Sequence, residues 1–413
     1  MKRLVRISSL GTQGDGVAEL PGGIVHLPQT LPGELVEIED ETGKPVVSQI
    51  REPSSDRIIP ACPHFGICGG CTLQHFELGE YLCWKREVVV TALRRSGIDC
   101  QVAPIQSCEP QSRRRVVFSA RNTAAGPVLG FNKAGSHEIV PIVECPVLVP
   151  AIIDALDRLR SLLALFGKTG KPLRMTVTET ESGLDVGISD ADRISDNLRR
   201  ALTTFAVAHR FARISIDGEV IIEPAKPVIR FGDVAITPPP GGFLQATARA
   251  ETLISELVIS HLRKSKRVAD LFAGSGTFAL RLAKNSIVHA VENDAVALQA
   301  LDDGFRFAPG LKTVTHERRD LFRRPLTVNE LKDYDGLVFD PPRAGARDQA
   351  FAIAKSDIRR VVAVSCNPAT LARDLVILTG GGFRVVSVTP IDQFLWSPHV
   401  EVVALLEKPK RRR

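Results

Sequence analysis

Three short segments of this chain carry residues able to do chemistry together. Cys366, in Ser365-Cys366-Asn367-Pro368, follows an apolar run at 361–364 that reads as a buried strand. A thiol at the C-terminal end of a parallel strand lies where ligands enter an open α/β sheet. Asp340-Pro341-Pro342-Arg343 closes a second such run. The third segment, Asp270-Leu271-Phe272-Ala273-Gly274-Ser275-Gly276-Thr277-Phe278, is a glycine turn between a strand and a helix. Glycine there permits a tight turn and close approach of a cofactor to the backbone. Glu292 closes the next strand about twenty residues on, the place from which a carboxylate reaches ribose hydroxyls. Taken alone, the turn fits NAD(P) as well as S-adenosylmethionine, because Gly274, Gly276 and Ala279 also satisfy the loose dinucleotide pattern.

The strand-end thiol separates these readings. Hydride transfer has no use for it, whereas methylation of a pyrimidine at C5 does. C5 of uracil is a poor nucleophile, but a thiolate added at C6 turns C5 into an enolate-like carbon that attacks an electrophilic methyl group. A base must then remove the C5 proton so that the thiol can be expelled. Glu401, in His399-Val400-Glu401, offers that carboxylate at the entry to the last strand. Any one of these residues alone fits inert packing or a surface carboxylate; the argument rests on the set.

A second cluster lies upstream. Cys62-x5-Cys68-x2-Cys71 is interleaved with Gly66, Gly69 and Gly70, and Cys145 recurs in the Cys-Pro setting of Cys62-Pro63. Four thiolates suit an iron–sulfur cluster or a structural zinc site. The three-plus-one spacing favours iron and leaves zinc open. Cys83, Cys100 and Cys108 lack that setting and read as structural.

The elements that must position these groups follow from the hydrophobic pattern. The chain has 413 residues, 44% of them hydrophobic, enough for two or three cored domains. Residues 1–52 read as short strands separated by Pro-Gly turns, a small OB-like β-barrel. Residues 53–235 mix a cysteine loop, a helix at 76–97, a helix at 151–166 and a strand at 174–178. From 236 to 413 strands alternate with helices, with strands expected at 267–272, 287–292, 336–340, 360–365, 383–390 and 400–406, the signature of a doubly wound sheet. The net charge is +6, with basic clusters at Arg113-Arg114-Arg115, 264–267, Arg323-Arg324 and the tail 408–413. As a set they favour a nucleic-acid partner. No apolar run is long enough for a membrane span, and the start lacks the apolar core of a signal peptide, so a cytoplasmic protein is expected.

These motifs, in this order, resemble a known family: bacterial RNA 5-methyluridine methyltransferases, in the branch with an N-terminal TRAM domain and a 4Fe-4S cluster, most nearly those acting on 23S rRNA. The resemblance spans essentially the whole chain and includes Gly14-Asp15-Gly16 and Phe243-Leu244-Gln245. It implies a C-terminal Rossmann-like class I methyltransferase domain behind a TRAM barrel and a mixed α/β central domain. It implies Cys366 as nucleophile and Glu401 as base. It implies Gln245, Phe272, Glu292 and Asp340 as the S-adenosylmethionine site, with Cys62, Cys68, Cys71 and Cys145 holding the cluster. RNA is the implied partner, 23S rRNA first and tRNA second, with no obligate protein partner. Two segments depart from the family: Thr247 stands where asparagine is usual, and Phe394-Leu395-Trp396-Ser397-Pro398-His399 replaces the usual Phe-Pro-His-Thr-x-His. The competing reading of another class is an iron–sulfur RNA-binding protein without catalysis.

Overall fold

The computed structural model describes residues 2–41, 44–191 and 193–409, so the basic tail read from the sequence lies outside the described residues from 410 onward. Near the N-terminus two three-stranded antiparallel sheets face one small core of Val5, Ile7, Ala18, Leu27, Val36 and Ile38. Strands Arg3–Arg6 and Ser9–Leu10 act as one bent strand shared by both sheets. Across the bend, Ile7 N–H donates to the Glu34 carbonyl and Ser8 N–H to that of Val17. The ladder is therefore split in two at the bend, and both sheets close on the same core.

The middle of the chain forms a seven-stranded sheet from Arg115–Thr123 to Glu219–Ile222, antiparallel except where Gly183–Ser189 runs parallel to Arg213–Ile216. Helices Leu156–Ala164 and Asp196–Ala208 contribute Leu159, Leu162, Leu202 and Ala206 to its core. The single helix expected at 151–166 is broken into Pro150–Ile153 and Leu156–Ala164. An Ala155 N–H bond to the Ile152 carbonyl tightens the chain between the pieces.

The C-terminal sheet decides where the chemistry sits. In spatial order its strands are Val314–Arg318, Ile287–Glu292, Arg267–Leu271, Gly336–Phe339, Arg360–Ser365, Glu401–Glu407, Arg384–Asp392 and Gln106–Ser107. The first five are parallel, and Glu401–Glu407 is antiparallel to both neighbours. The strand order reverses between Arg267–Leu271 and Gly336–Phe339, the switch point where the crossovers diverge and leave a crevice. The six expected strands are present to within two residues at each end. Val314–Arg318 was not anticipated: it is an edge strand in which only Val314 is buried, so no apolar run marks it. Helix Leu78–Arg95, capped by the Glu77 carboxylate, packs on this sheet through Val89 and Leu93 although it lies far upstream in sequence. Among the described residues no helix is long and apolar enough to cross a membrane.

Candidate active site

At the C-terminal ends of the parallel strands the crevice widens to a cleft of about 700 Å³. Gln245, Phe272, Glu292, Asp340, Cys366 and Glu401, which come from six separate segments, all line it. The glycine turn forms its floor, with φ of 60° at Phe272, 53° at Gly274 and 93° at Gly276. A Cβ on Gly276 would stand 2.9 Å from the Leu301 side chain, so both its φ and the space require glycine. Glu292 ties the turn to the adjoining strand, accepting from the N–H groups of Gly274 at 3.0 Å, Asn293 at 2.6 Å and Asp294 at 2.9 Å. Cys366 sits between strand Arg360–Ser365 and helix Pro368–Gly380. Asn367 caps that helix through Ala369 N–H and donates to the Arg343 carbonyl at 3.2 Å, drawing the Asp340–Arg343 turn toward the thiol. Thr247 likewise caps helix Ala248–Leu262 through Ala250 N–H. Asparagine does the same work, which accounts for that departure from the family pattern.

The electrostatics follow from three acidic groups crowded in a poorly hydrated space. Burial pushes the Asp340 carboxyl up to about 7, opposed by the hydrogen bond from Gln245. Burial, then the charge of Asp340, holds Glu401 well above the carboxylate range. The Cys366 thiol is pushed up to about 11 by burial and by the Glu401 and Asp340 charges, with Arg343 acting the other way.

The four thiols named from the sequence are also brought together. Cys62, Cys68, Cys71 and Cys145 line one small cavity beside the cleft, with Arg113, His64 and Gln74. Gly70 N–H lies 3.4 Å from Cys68 Sγ, and the N–H groups of Val147 and Leu148 point at the Cys145 sulfur. Backbone N–H groups aimed at a sulfur favour its thiolate form. Among the described residues no group of three or more His, Cys, Asp or Glu side chains is placed to hold a metal ion.

Several residues that matter here went unnoticed in the sequence. Gln393, buried in the wall of the cleft, donates to Gln245 Oε1 at 2.8 Å and to Glu401 Oε2 at 2.6 Å. Lys85 and Asp392 form a fully buried ion pair at 2.5 Å, joined by Tyr81 Oη donating to Asp392 at 2.8 Å. Lys85 also donates to the Phe394 carbonyl at 3.1 Å. Thr72 N–H and Leu73 N–H donate to the Trp396 carbonyl, and Trp396 N–H to Tyr81 Oη, so the cysteine loop grips segment 394–399 directly. Arg113 and Phe394 line both the cysteine cavity and the cleft, making the wall between them one side chain thick. The basic clusters divide. Arg113 and Arg115 face the cleft, but Arg114 is sequestered with Arg281 on the buried Glu251. Residues 264–267 lie at the opposite end of strand Arg267–Leu271 from the cleft, where Lys266 and Arg267 N–H groups bond Asp335.

Comparison with known proteins gives these features a family. The family described as tRNA (Uracil-5-)-methyltransferase matches residues 238–409. An uncharacterized RNA methyltransferase of Mesorhizobium japonicum is 58% identical over 407 residues, 98% of each chain. A 23S rRNA (uracil(1939)-C(5))-methyltransferase RlmD of Pseudomonas savastanoi pv. phaseolicola is 32% identical, covering 99% of this chain and 94% of its own. The fold matches the crystal structure of Pyrococcus abyssi tRNA (uracil-54, C5)-methyltransferase in complex with S-adenosyl-L-homocysteine, with a TM-score of 0.75 and 24% identity over 98% of this chain and 99% of that one. A thiol, two carboxylates and a glycine turn around one crevice, on a chain related end to end to such enzymes, lead to one conclusion: the chain belongs to the RNA (uracil-C5) methyltransferase family.

Proposed function

We propose that this protein methylates C5 of a uridine in RNA, with S-adenosylmethionine as donor and 23S rRNA as substrate. The observation that carries the reading is the convergence of Cys366, Asp340 and Glu401 with the glycine turn on one cleft. S-adenosylmethionine supplies an electrophilic methyl group. Glu292, Phe272, Gln245 and the turn at Gly274–Gly276 would hold it, the carboxylate reaching the ribose. Cys366 Sγ, as thiolate, forms a bond to C6 of the uracil, and the electron pair released to C5 forms the new carbon–carbon bond to the methyl as the methyl–sulfur bond of the donor breaks and S-adenosylhomocysteine leaves. Glu401 then takes the C5 proton, the C5–C6 double bond re-forms, and the C6–S bond breaks to return the thiolate. The thiol stays protonated in the resting cleft, so Arg343 and the bound cationic donor supply the positive charge that its ionisation needs. The target uridine must leave its stack to reach a thiol at this depth.

The relative named for 23S rRNA is the basis for that substrate. The tRNA-acting fold neighbour makes a tRNA uridine the alternative. We read 1–52 as a TRAM/OB-like RNA-gripping barrel, 53–235 as the iron–sulfur loop and central RNA-binding unit, and 236–413 as the catalytic domain, all working in the cytoplasm. Cys62, Cys68, Cys71 and Cys145 would hold a 4Fe-4S cluster. Methyl transfer moves no electron, so its place is to fix the wall that Arg113 and Phe394 share with the cleft.

Mass mapping of 23S rRNA and tRNA from cells with and without the gene tests the function. Loss of one 5-methyluridine from 23S rRNA, restored by the wild type and not by Cys366→Ala, is expected. Loss confined to tRNA would move the substrate, and restoration by Cys366→Ala would overturn the covalent mechanism. Iron and sulfide assay of anaerobically purified protein tests the cluster: four of each per chain is expected, and stoichiometric zinc refutes it.

A further inference from the structure

We infer that Gln393 is a positioning residue: its amide aims one carboxylate oxygen of Glu401 at the reacting carbon and ties that base to the donor-side residues Gln245 and Asp340. The inference rests on Glu401 being the base. Its first support is an orientation fixed by a donor of unambiguous direction. Ala246 N–H donates to Gln393 Oε1 at 3.0 Å, and a backbone N–H cannot accept, so the Gln393 amide nitrogen must face the other way. Its two hydrogens then go to Gln245 Oε1 at 2.8 Å and Glu401 Oε2 at 2.6 Å. With its own oxygen so engaged, Gln245 must turn its nitrogen outward, and it donates to Asp340 Oδ2 at 3.0 Å. One backbone donor thus sets a chain of two amides with a carboxylate at each end, every member of it at most half exposed and Gln393 and Glu401 fully buried.

The second support is the asymmetry this leaves on Glu401. Oε2 accepts from Gln393, whereas Oε1 is buried with no partner among the described residues. An unpartnered carboxylate oxygen in a substrate cleft is the atom free to take a proton. Gln393 stands two residues after Ile391, which pairs with Glu401 across the antiparallel ladder, so the bond also closes the loop at 393–400 at its two ends. A base held by one oxygen and presented by the other is preorganised for proton removal.

A donor to the carboxylate stabilises its charged form, the form that accepts the proton. The charged and titratable groups facing Glu401 are Asp340, from the end of strand Gly336–Phe339, and Cys366, from the end of strand Arg360–Ser365. Arg343 faces Cys366 from the turn after Asp340, and His399 on the incoming loop faces Arg343, Lys85 and Arg113. Removing the Gln393 N–H leaves Glu401 against burial and Asp340 alone. The acid limb of turnover, set by ionisation of the base, moves to higher pH by about one to two units, with about tenfold slower turnover at neutral pH.

The test uses full-length wild type, Gln393→Met, Gln393→Glu and Glu401→Gln, incubated with S-adenosylmethionine and total RNA from cells lacking the gene. Turnover is followed from pH 6 to 9, together with the fraction of enzyme caught as a denaturant-stable, methylated adduct on RNA. Proton removal follows carbon–carbon bond formation. Gln393→Met is therefore expected to accumulate methylated adduct while turnover falls, with its acid limb displaced upward. Gln393→Glu keeps the size and the acceptor for Ala246 N–H but sets a second carboxyl against Glu401, so it displaces the limb further upward and gives a readout if the methionine variant fails to fold. Adduct and turnover falling together with an unmoved limb would mean a merely structural glutamine and would overturn the inference. Wild-type turnover by Glu401→Gln would instead remove the base assignment itself, a result separable from any behaviour of Gln393.

Discussion

Lys85→Met is the sharpest test of how segment 392–399 is held. The Lys85 ammonium and the Asp392 carboxylate are both 0% exposed and 2.5 Å apart, and they come from helix Leu78–Arg95 and the end of strand Arg384–Asp392. Methionine matches the lysine stem, so packing is conserved and the charge alone is lost. Asp392 keeps only the Tyr81 hydroxyl, which burial and Asp392 itself hold protonated. The Phe394 carbonyl loses its donor as well. Breaking a buried pair by removing one partner costs about 3–5 kcal/mol, because an uncompensated charge stays behind. With a urea m-value of about 3 kcal/mol/M, the midpoint falls by about 1 M or more. The assay is built into the chain: its two tryptophans, Trp84 and Trp396, flank the pair, and Trp396 N–H bonds Tyr81. Tryptophan fluorescence in urea therefore reports on the unfolding of the region around this pair. Replacing both partners, in Lys85→Met/Asp392→Asn, removes the stranded charge and recovers more than half of the loss. A cost under about 1 kcal/mol for the single variant, or a double variant equal to the sum of the singles, would refute the reasoning.

Further outcomes follow from the same geometry. With its thiol near 11, Cys366 is ionised to about one part in a thousand at pH 8, so its iodoacetamide labelling, followed by peptide mass mapping, rises about tenfold per pH unit from 8 to 10. A plateau below pH 9 contradicts the raised thiol, and Glu401→Gln lowers the midpoint by removing a facing negative charge. Gly276→Ala sets a Cβ 2.9 Å from Leu301 at a φ of 93°. It destabilises the catalytic unit by about 1–3 kcal/mol and weakens S-adenosylmethionine binding in calorimetry; an unchanged affinity would remove the turn from the donor site. Thr247→Val deletes the cap on helix Ala248–Leu262 at a cost of about 1 kcal/mol, and Thr247→Asn restores it in a thermal melt.

Much of the fold was legible because its signals are local. Strands 287–292 and 360–365 are near-continuous apolar runs bounded by polar turns, and both occur where the pattern put them. Of the six candidate cleft residues, Phe272, Asp340 and Cys366 lie in the turns Asp270–Phe278, Asp340–Arg343 and Ser365–Pro368, Glu292 and Glu401 stand at strand ends, and Gln245 was legible only through the family resemblance. Val314–Arg318 was not, since an exposed edge strand buries one residue and leaves no period to read. Nor were the two pieces at 150–164, where the apolar spacing continues across the break.

By itself, then, the sequence determined which groups are available: a thiol, a carboxylate and a glycine turn, each written within a few consecutive residues, and a set of four thiols at 62, 68, 71 and 145. Only the tertiary structure decided how those groups are aimed. Gln393 meets Gln245 across 148 residues, and Lys85 meets Asp392 across 307. Hydrogen bonds and charges of that kind are fixed by the order of strands in a sheet and by burial that makes each unpaired group costly, and neither has any period along the chain.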